Sequence, residues 1–306
     1  MNMSKALVNL LNSNEIVWKR FPSVFKKPIV QTIRAFYSIA MDQILKFPKL
    51  EKNFAFASIS ERKSEPCQQL SAYLGSFYGA TEISWNKQWE YYWVINQIAK
   101  RFPDPQGIKV LDAACGRTSL QFGLAKLGYD VMGIDFAEAG PGVWEGFDRR
   151  LADSLGLKIP YEKHDLKDIK LKPAQFDVVM CISVLEHIRA VENNDNREMN
   201  LVPRTEEDHA LVDQIMNQLL RMVKPRGYLI LTCDYFLPRE NLLDESNINF
   251  RRLFHSHPDL KLAEPSFPIP GDSKFSFLEL IKNEDIDICN YNDRLQTSAA
   301  MIFQKK

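Results

Sequence analysis

Three short stretches bring together residue types that can do chemistry. Asp112 is followed by Ala113, Ala114, Cys115 and Gly116, and all four are small. Such a turn lets a ligand approach bare backbone, and Gly116 can take a conformation closed to other residues. Asp135 stands 23 positions further on (135 less 112), at the end of the apolar run Val131–Ile134. An acid about 20 residues past such a turn is placed to hold a ribose diol through charge-assisted hydrogen bonds. The third stretch is Ser183-Val184-Leu185-Glu186-His187-Ile188, after the apolar run Phe176–Ile182. An unperturbed imidazole titrates near pH 6.5, so His187 is a candidate proton acceptor.

The elements that must position these residues are legible from spacing. Ile108–Leu111 is a short β-branched run and reads as a buried strand. Thr118 or Ser119 then caps a helix carrying Leu120, Phe122, Leu124 and Leu127. Tyr129–Asp135 reads as a second strand, and Ile159–Lys163, ending in His164-Asp165, as a third. Between them lie a glycine-containing loop and a helix expected around Trp144–Leu155. Phe176–Ile182 is apolar throughout after Asp177, as a central parallel strand covered on both faces requires. Thr205 caps a helix with two adjacent apolar rows, Leu211, Ile215, Leu219 and Val212, Met216, Leu220, which Pro225-Arg226-Gly227 ends. Tyr228–Thr232 is a fifth strand, and Asp285–Cys289 and Thr297–Phe303 are expected as an antiparallel final pair. Small residues in a strand–helix turn often serve packing alone; the second acid at the right distance is what favours a ligand site.

Taken together, VLDAACGRTSL at 110–120, VMGID at 131–135, HD at 164–165, FDVVMCISVLEHI at 176–188 and VKPRGYLILT at 223–232 resemble the class I S-adenosylmethionine-dependent methyltransferases of the type 11 group. The resemblance covers residues 108 to about 234. It implies an α/β fold: a doubly wound, mostly parallel, seven-stranded Rossmann-like sheet. It implies S-adenosyl-L-methionine as cofactor, held by the first loop at Asp112, Ala114, Cys115, Gly116 and Thr118. Asp135 and Phe136 would follow at the end of the second strand. Asp165, with Leu166, would meet the adenine, and Ile182 would close the site from the central strand. Ala114 and Thr118 replace the first and third glycines of the family's loop. Alanine costs little there if φ stays negative. Glu186 and His187 also resemble part of a metal-binding Glu-x-x-Glu-His of RNA-terminal methyltransferases, but Ser183 stands in place of the first Glu, so no metal is expected.

The 306 residues suffice for one large domain, or one domain with a substantial extension. Lys plus Arg equals Asp plus Glu at 39 each, so there is no electrostatic footprint for nucleic acid or an anionic membrane, and neither is expected as a partner. The five cysteines are odd in number and form no C-x-x-C pair, which suits a reducing compartment and cytoplasmic localisation. No apolar run approaches membrane-spanning length, and the first residues do not read as a signal peptide. The division expected is a helical N-terminal extension over 1–104, a possible lid, and a methyltransferase domain over 105–306. Helices are expected at Pro28–Phe47, Pro66–Phe77 and from Ser84 to Pro103. The last carries the aromatic run Trp85–Trp93; Trp89 and Trp93 read as packing residues, Tyr91 and Tyr92 as candidate pocket lining.

The function expected is methylation of a small metabolite or glycan acceptor at a hydroxyl oxygen, with His187 removing the proton. Two other readings stay open. A non-catalytic methyltransferase-fold binding subunit is kept alive by the altered glycines. An NAD-dependent dehydrogenase is disfavoured by the lack of an intact Gly-x-Gly-x-x-Gly.

Overall fold

The chain begins, within the described residues, with a strand that adds to the sheet's edge. The computed structural model describes residues 54–137, 146–190, 203–237, 247–262, 280, 282–291 and 294–306. Strand β1 (Phe54–Phe56) is buried at all three positions. Helix α1 (Ile59–Lys63) follows, capped by Ser58, and then α2 (Glu65–Ser76), capped by Ser64 with a proline in its first turn. Helix α3 (Trp85–Arg101) carries the aromatic run, and Trp89 and Trp93 are fully buried with ring centroids 6.2 Å apart. The helix expected at 28–47 lies outside the described residues.

Strand β2 (Lys109–Ala113), helix α4 (Leu120–Lys126), strand β3 (Asp130–Asp135), helix α5 (Arg149–Ser154) and strand β4 (Tyr161–Lys163) form one half of the doubly wound unit. Strand β5 (Phe176–Ile182) leads through a 3-10 turn at Leu185–His187 towards helix α6 (Glu206–Met222) and strand β6 (Val223–Phe236) in the other half. A capping box fixes the start of α6: Thr205 accepts from the Asp208 N–H, and Asp208 accepts from the Thr205 N–H. Helix α7 (Phe250–His255) and strands β7 (Leu260–Leu262), β8 (Cys289–Tyr291) and β9 (Arg294–Lys305) complete the described chain.

The sheet runs β4-β3-β2-β5-β6-β9-β1, with β7 and β8 also pairing to β9. Strands β2 to β6 are parallel to their neighbours among themselves; β9 is antiparallel to β6 and to β1, β7 and β8. The chain winds outward from β2 in one direction and from β5 in the other. The switch point therefore lies between the carboxyl ends of β2 and β5, where open α/β sheets bind ligands. Two apolar clusters cover the two faces. One gathers α6, β1 and α7 residues such as Met216, Phe54 and Phe250; the other gathers α2, α3 and α4 residues such as Leu74, Trp93 and Phe122.

Several expectations need correction. Among the described residues the sheet has the seven expected positions but nine strands, because three short strands, β1, β7 and β8, share the position beyond β9. The segment before β2 is not purely helical: Phe54–Phe56 pairs with Ala299–Met301. The fifth strand is longer than Tyr228–Thr232, since α6 stops at Met222 and the chain is extended from Val223; Arg226, at φ +62°, absorbs the local irregularity. The described helix after β3 starts at Arg149, later than expected, and residues 138–145 lie outside the described set. The final pair is shifted to Cys289–Tyr291 and Arg294–Lys305.

Candidate cofactor and acceptor site

The turn after β2 is built by backbone. The Cys115 N–H donates to Ile134 O at 3.0 Å, and the Gly116 N–H donates to Asp135 Oδ2 at 2.9 Å. Gly116 has φ +49°, a left-handed shape open to glycine, but Ala114 also has φ +55°. The condition for a cheap alanine at 114, a negative φ, is not met: a Cβ in the left-handed region costs roughly 1–2 kcal/mol. The close approach of β3 explains the need for small residues. A Cβ on Gly133 would lie 3.0 Å from Cys115 Sγ. Cys115 is buried, and its sulfur fills this contact.

Asp112 and Asp135 are both 3% exposed. Burial, then the Asp135 charge, pushes the Asp112 carboxyl well above the usual carboxylate range. Asp135 accepts from Gly116 N–H and, at 3.4 Å, from Ala137 N–H, so lone-pair sites remain on its oxygens for further donors. Thr118 Oγ1 donates to Cys115 O at 3.3 Å, and its side chain is hydrogen-bonded by Tyr91 of α3. Ser119 takes the cap position of α4 without a side-chain cap bond. Phe136 is 60% exposed at the carboxyl end of β3, an exposed aromatic face beside Asp135. Ile182 is half-buried and Leu166 buried. Asp165 stands apart from the other two acids. It is half-exposed, accepts from the Lys167 N–H at 2.9 Å and pairs with Lys167 Nζ at 3.3 Å. Tyr91 and Tyr92 are 5% and 3% exposed, so their rings belong to the core between α3 and the sheet.

A second group of polar side chains sits at the carboxyl ends of β5 and β6, and α3 reaches into it. Glu90 is completely buried. Its Oε2 accepts from Lys87 Nζ at 3.1 Å, Ser183 Oγ at 2.8 Å and Thr232 Oγ1 at 3.1 Å; its Oε1 accepts from Ser298 Oγ at 2.8 Å. One carboxylate thus ties α3 to the ends of three adjacent strands. Ser183, one of its partners, is held at φ +53°. Glu186 is 3% exposed, and its Oε1 accepts from the Asp234 N–H at 3.0 Å. Asp234 Oδ2 accepts from Gln296 Nε2 at 3.4 Å. Glu186 Oε2 and Asp234 Oδ1 are buried and have no hydrogen-bond partner among the described residues. Burial pushes the Glu186 carboxyl up to about 7 against Lys87 and backbone donors. Burial and then the Glu186 charge push Asp234 up to about 7. Burial works against the Lys87 ammonium, but Glu90, Asp234 and Glu186 outweigh it and hold its pKa above the ordinary value.

His187 lies at the rim of this group, its side chain 53% exposed and its Nε2 4.0 Å from Glu186 Oε1. Desolvation, with the Lys87 and Arg204 charges, lowers its pKa against the pull of Asp234 and Glu90, so the ring is neutral at pH 7. Arg204 fixes the turn that carries it, donating to Leu185 O at 3.1 Å, Glu186 O at 2.7 Å and Ile188 O at 3.0 Å. Among the described residues, no three His, Cys, Asp or Glu side chains converge as a metal site. Sequence reasoning missed Lys87, Glu90 and Asp234. The i,i+3 pair Lys87–Glu90 was hidden among aromatics, and Asp234 stands two residues past the expected strand end.

The strand order, with its reversal between β2 and β5 and its antiparallel β9, is that of a Rossmann-like methyltransferase sheet. A family model described as "Methyltransferase domain" matches residues 111–231. These residues form a methyltransferase domain of the class I S-adenosylmethionine-dependent kind, whose cofactor is S-adenosylmethionine. The chain is similar to proteins named ubiquinone biosynthesis O-methyltransferase. The one from Azoarcus sp. (strain BH72) is 41% identical over 83 residues, 27% of this chain and 34% of that protein. The one from Roseobacter denitrificans is 35% identical over 103 residues, 31% of this chain and 40% of that protein. The chain thus spans about a third to two fifths of these curated relatives. Among solved structures, TehB from Haemophilus influenzae aligns with a TM-score of 0.47 and 17% identity over 77% of this chain and 67% of that one. Magnesium protoporphyrin IX methyltransferase from Synechocystis PCC 6803 with bound SAM aligns at 0.43 and 15%, over 78% and 97%. No helix among the described residues is long and apolar enough to cross a membrane.

Proposed function

We propose that this protein is an enzyme that transfers the methyl group of S-adenosylmethionine to a hydroxyl oxygen of a small metabolite or glycan. When bound, S-adenosylmethionine would supply an electrophilic methyl carbon to the acceptor oxygen, with a neutral thioether as leaving group. The protein must bind, align and remove one proton, and alignment in well-oriented model systems contributes of order 7–11 kcal/mol. Asp135 takes the ribose hydroxyls on its remaining lone pairs, with the backbone of residues 113–116 beside it and the exposed Phe136 ring against the adenine. Asp165 takes the adenine amino group from the neighbouring loop. His187 takes the acceptor's proton.

The observation that carries this reading is the placement of His187. It is an exposed imidazole with a lowered pKa, carried by the turn at the carboxyl end of the central strand β5, the end of the sheet at which open α/β folds bind ligands. The named relatives support oxygen as the methylated atom. We further propose that the segment before β2 works on the acceptor side, because α3 delivers Lys87 and Glu90 there, and that the protein is cytoplasmic, as its five unpaired cysteines suit. The test is incubation with methyl-labelled S-adenosylmethionine and a panel of phenolic, aliphatic and sugar hydroxyl acceptors, read by mass spectrometry. A methyl ether with matching S-adenosylhomocysteine is expected. Transfer confined to nitrogen or carboxylate acceptors, or cofactor binding without transfer to any hydroxyl, refutes the proposal.

A further inference from the structure

Three carboxylates, Glu90, Glu186 and Asp234, gather around a single ammonium, Lys87. Glu90 is fully engaged, with four donors on its two oxygens. Glu186 and Asp234 are not: among the described residues each keeps one buried oxygen without a partner, Oε2 and Oδ1. A buried ionised carboxylate with an unfilled oxygen is costly, and two neighbouring ones more so. A proton held between the two groups removes one of the charges. Backbone ties them, since the Asp234 N–H donates to Glu186 Oε1, and His187 Nε2 lies 4.0 Å from that same oxygen. The solvent-facing His187 ring is thus the exposed neighbour of the buried Glu186 carboxylate.

We infer that Glu186 and Asp234 act as one proton-sharing carboxylate pair, and that this pair receives, through His187, the proton lost by the acceptor hydroxyl. The inference rests on the methyl transfer proposed above. The acceptor O–H bond breaks and its proton forms an N–H bond on His187. The imidazolium then passes a proton to a carboxylate oxygen of the pair and returns to the neutral ring. Release to solvent through the same half-exposed ring resets the site. No further reactant is needed. The charged and titratable groups facing the pair are Lys87, Glu90 and Tyr91 from α3, His187 beside Glu186, Arg204 ahead of α6, Cys181 on β5, Cys233 on β6 and Cys289 on β8. Both carboxyls titrate near neutrality in this setting, which is where a proton-sharing pair must work. Glu186 and Asp234 are positioning residues, since neither touches the acceptor directly.

The test combines two readouts on the full chain and on Asp234→Asn, Glu186→Gln and the double variant. Infrared difference spectra across a pH titration should show a protonated carboxyl band persisting to about neutral pH, weakened or shifted in each single variant. This readout needs no turnover, so it stands apart from the methyl-transfer proposal. With an acceptor in hand, each single variant should lose about 100-fold in kcat and shift the acidic limb of the pH–rate profile. S-adenosylhomocysteine affinity should hold, and the double variant should fall no further than the worse single. Absence of the neutral-pH carboxyl band overturns the pair. A pH profile in the Asp variant that superimposes on the parent, or losses that multiply in the double variant, overturns the relay even if methyl transfer is sound.

Discussion

The Gly116 N–H donates to Asp135 Oδ2 at 2.9 Å, so the turn after β2 and the acid ending β3 form one unit. Asp135 both orients that turn and keeps lone pairs for a ligand. Asp135→Ala is expected to weaken S-adenosylmethionine binding by roughly 1.5–3 kcal/mol, the scale of hydrogen bonds to charged groups. Calorimetry on the folded variant checks it, and unchanged affinity would remove Asp135 from the cofactor site.

Ala114 sits at φ +55°, where glycine is free of Cβ strain. Ala114→Gly should relieve roughly 1–2 kcal/mol of strain and return roughly 0.5–1 kcal/mol through the greater freedom of the unfolded chain. A net stabilisation of about 0.5 kcal/mol is expected, read as a higher urea midpoint with an unchanged slope. A lower midpoint would show that the alanine methyl makes a contact worth more than the strain.

The central strands were legible because their residues state one period and one burial. Phe176–Ile182 is apolar nearly throughout and occupies the middle of the sheet, as read. The acids at the strand ends were legible from spacing. The outer edge was not: Phe54–Phe56 is three residues long, and only its long-range pairing with β9 makes it a strand. The polar cluster at the ends of β5 and β6 was hidden for a similar reason. The Lys87–Glu90 pair, Glu186 and Asp234 are far apart in sequence, and a Lys–Glu pair at i,i+3 reads as a solvated helix face until packing buries it. The cost of alanine at 114 was left conditional on φ, because the sign of φ is set by the turn as a whole.

Glu90 is wholly buried and tied to Lys87, Ser183, Thr232 and Ser298. Glu90→Ala leaves the Lys87 ammonium and three hydroxyls without their acceptor. Breaking one side of a buried pair costs about 3–5 kcal/mol. Urea denaturation should show a loss of that order. A loss under about 1 kcal/mol would mean that water replaces the carboxylate and that the site is wetter than its packing indicates.

Asp234 should leave a mark on stability against pH. Its folded-state pKa is raised from 3.8 to about 7, so the native protein binds this proton more tightly than the unfolded chain does. That contribution is complete below about pH 4 and is lost as pH rises towards 7. Asn mimics the protonated form. Asp234→Asn should therefore match the parent near pH 4 and become progressively more stable than it between there and neutrality. Urea midpoints of both proteins along that range check the sign. A difference independent of pH would show that Asp234 ionises in the folded protein as it does in the unfolded one.

His187 allows the sharpest separation of catalysis from architecture. Pinning this turn does not require a histidine, because Arg204 already does so through three carbonyls. Its ring is half-exposed and neutral at pH 7, and its nearest carboxylate oxygen is 4.0 Å away. His187→Asn keeps a polar group and removes the base. Turnover should fall by about 100-fold or more, S-adenosylhomocysteine affinity should hold, and the acidic limb of the pH–rate profile should vanish. Because desolvation and the Lys87 and Arg204 charges lower the imidazole pKa, that limb should lie below pH 6.5 in the parent. Turnover within a few-fold of the parent, with the limb in place, would assign proton removal to another group. Asp234 would then be the first to test, because its buried Oδ1 is the unfilled acceptor on the strand next to β5.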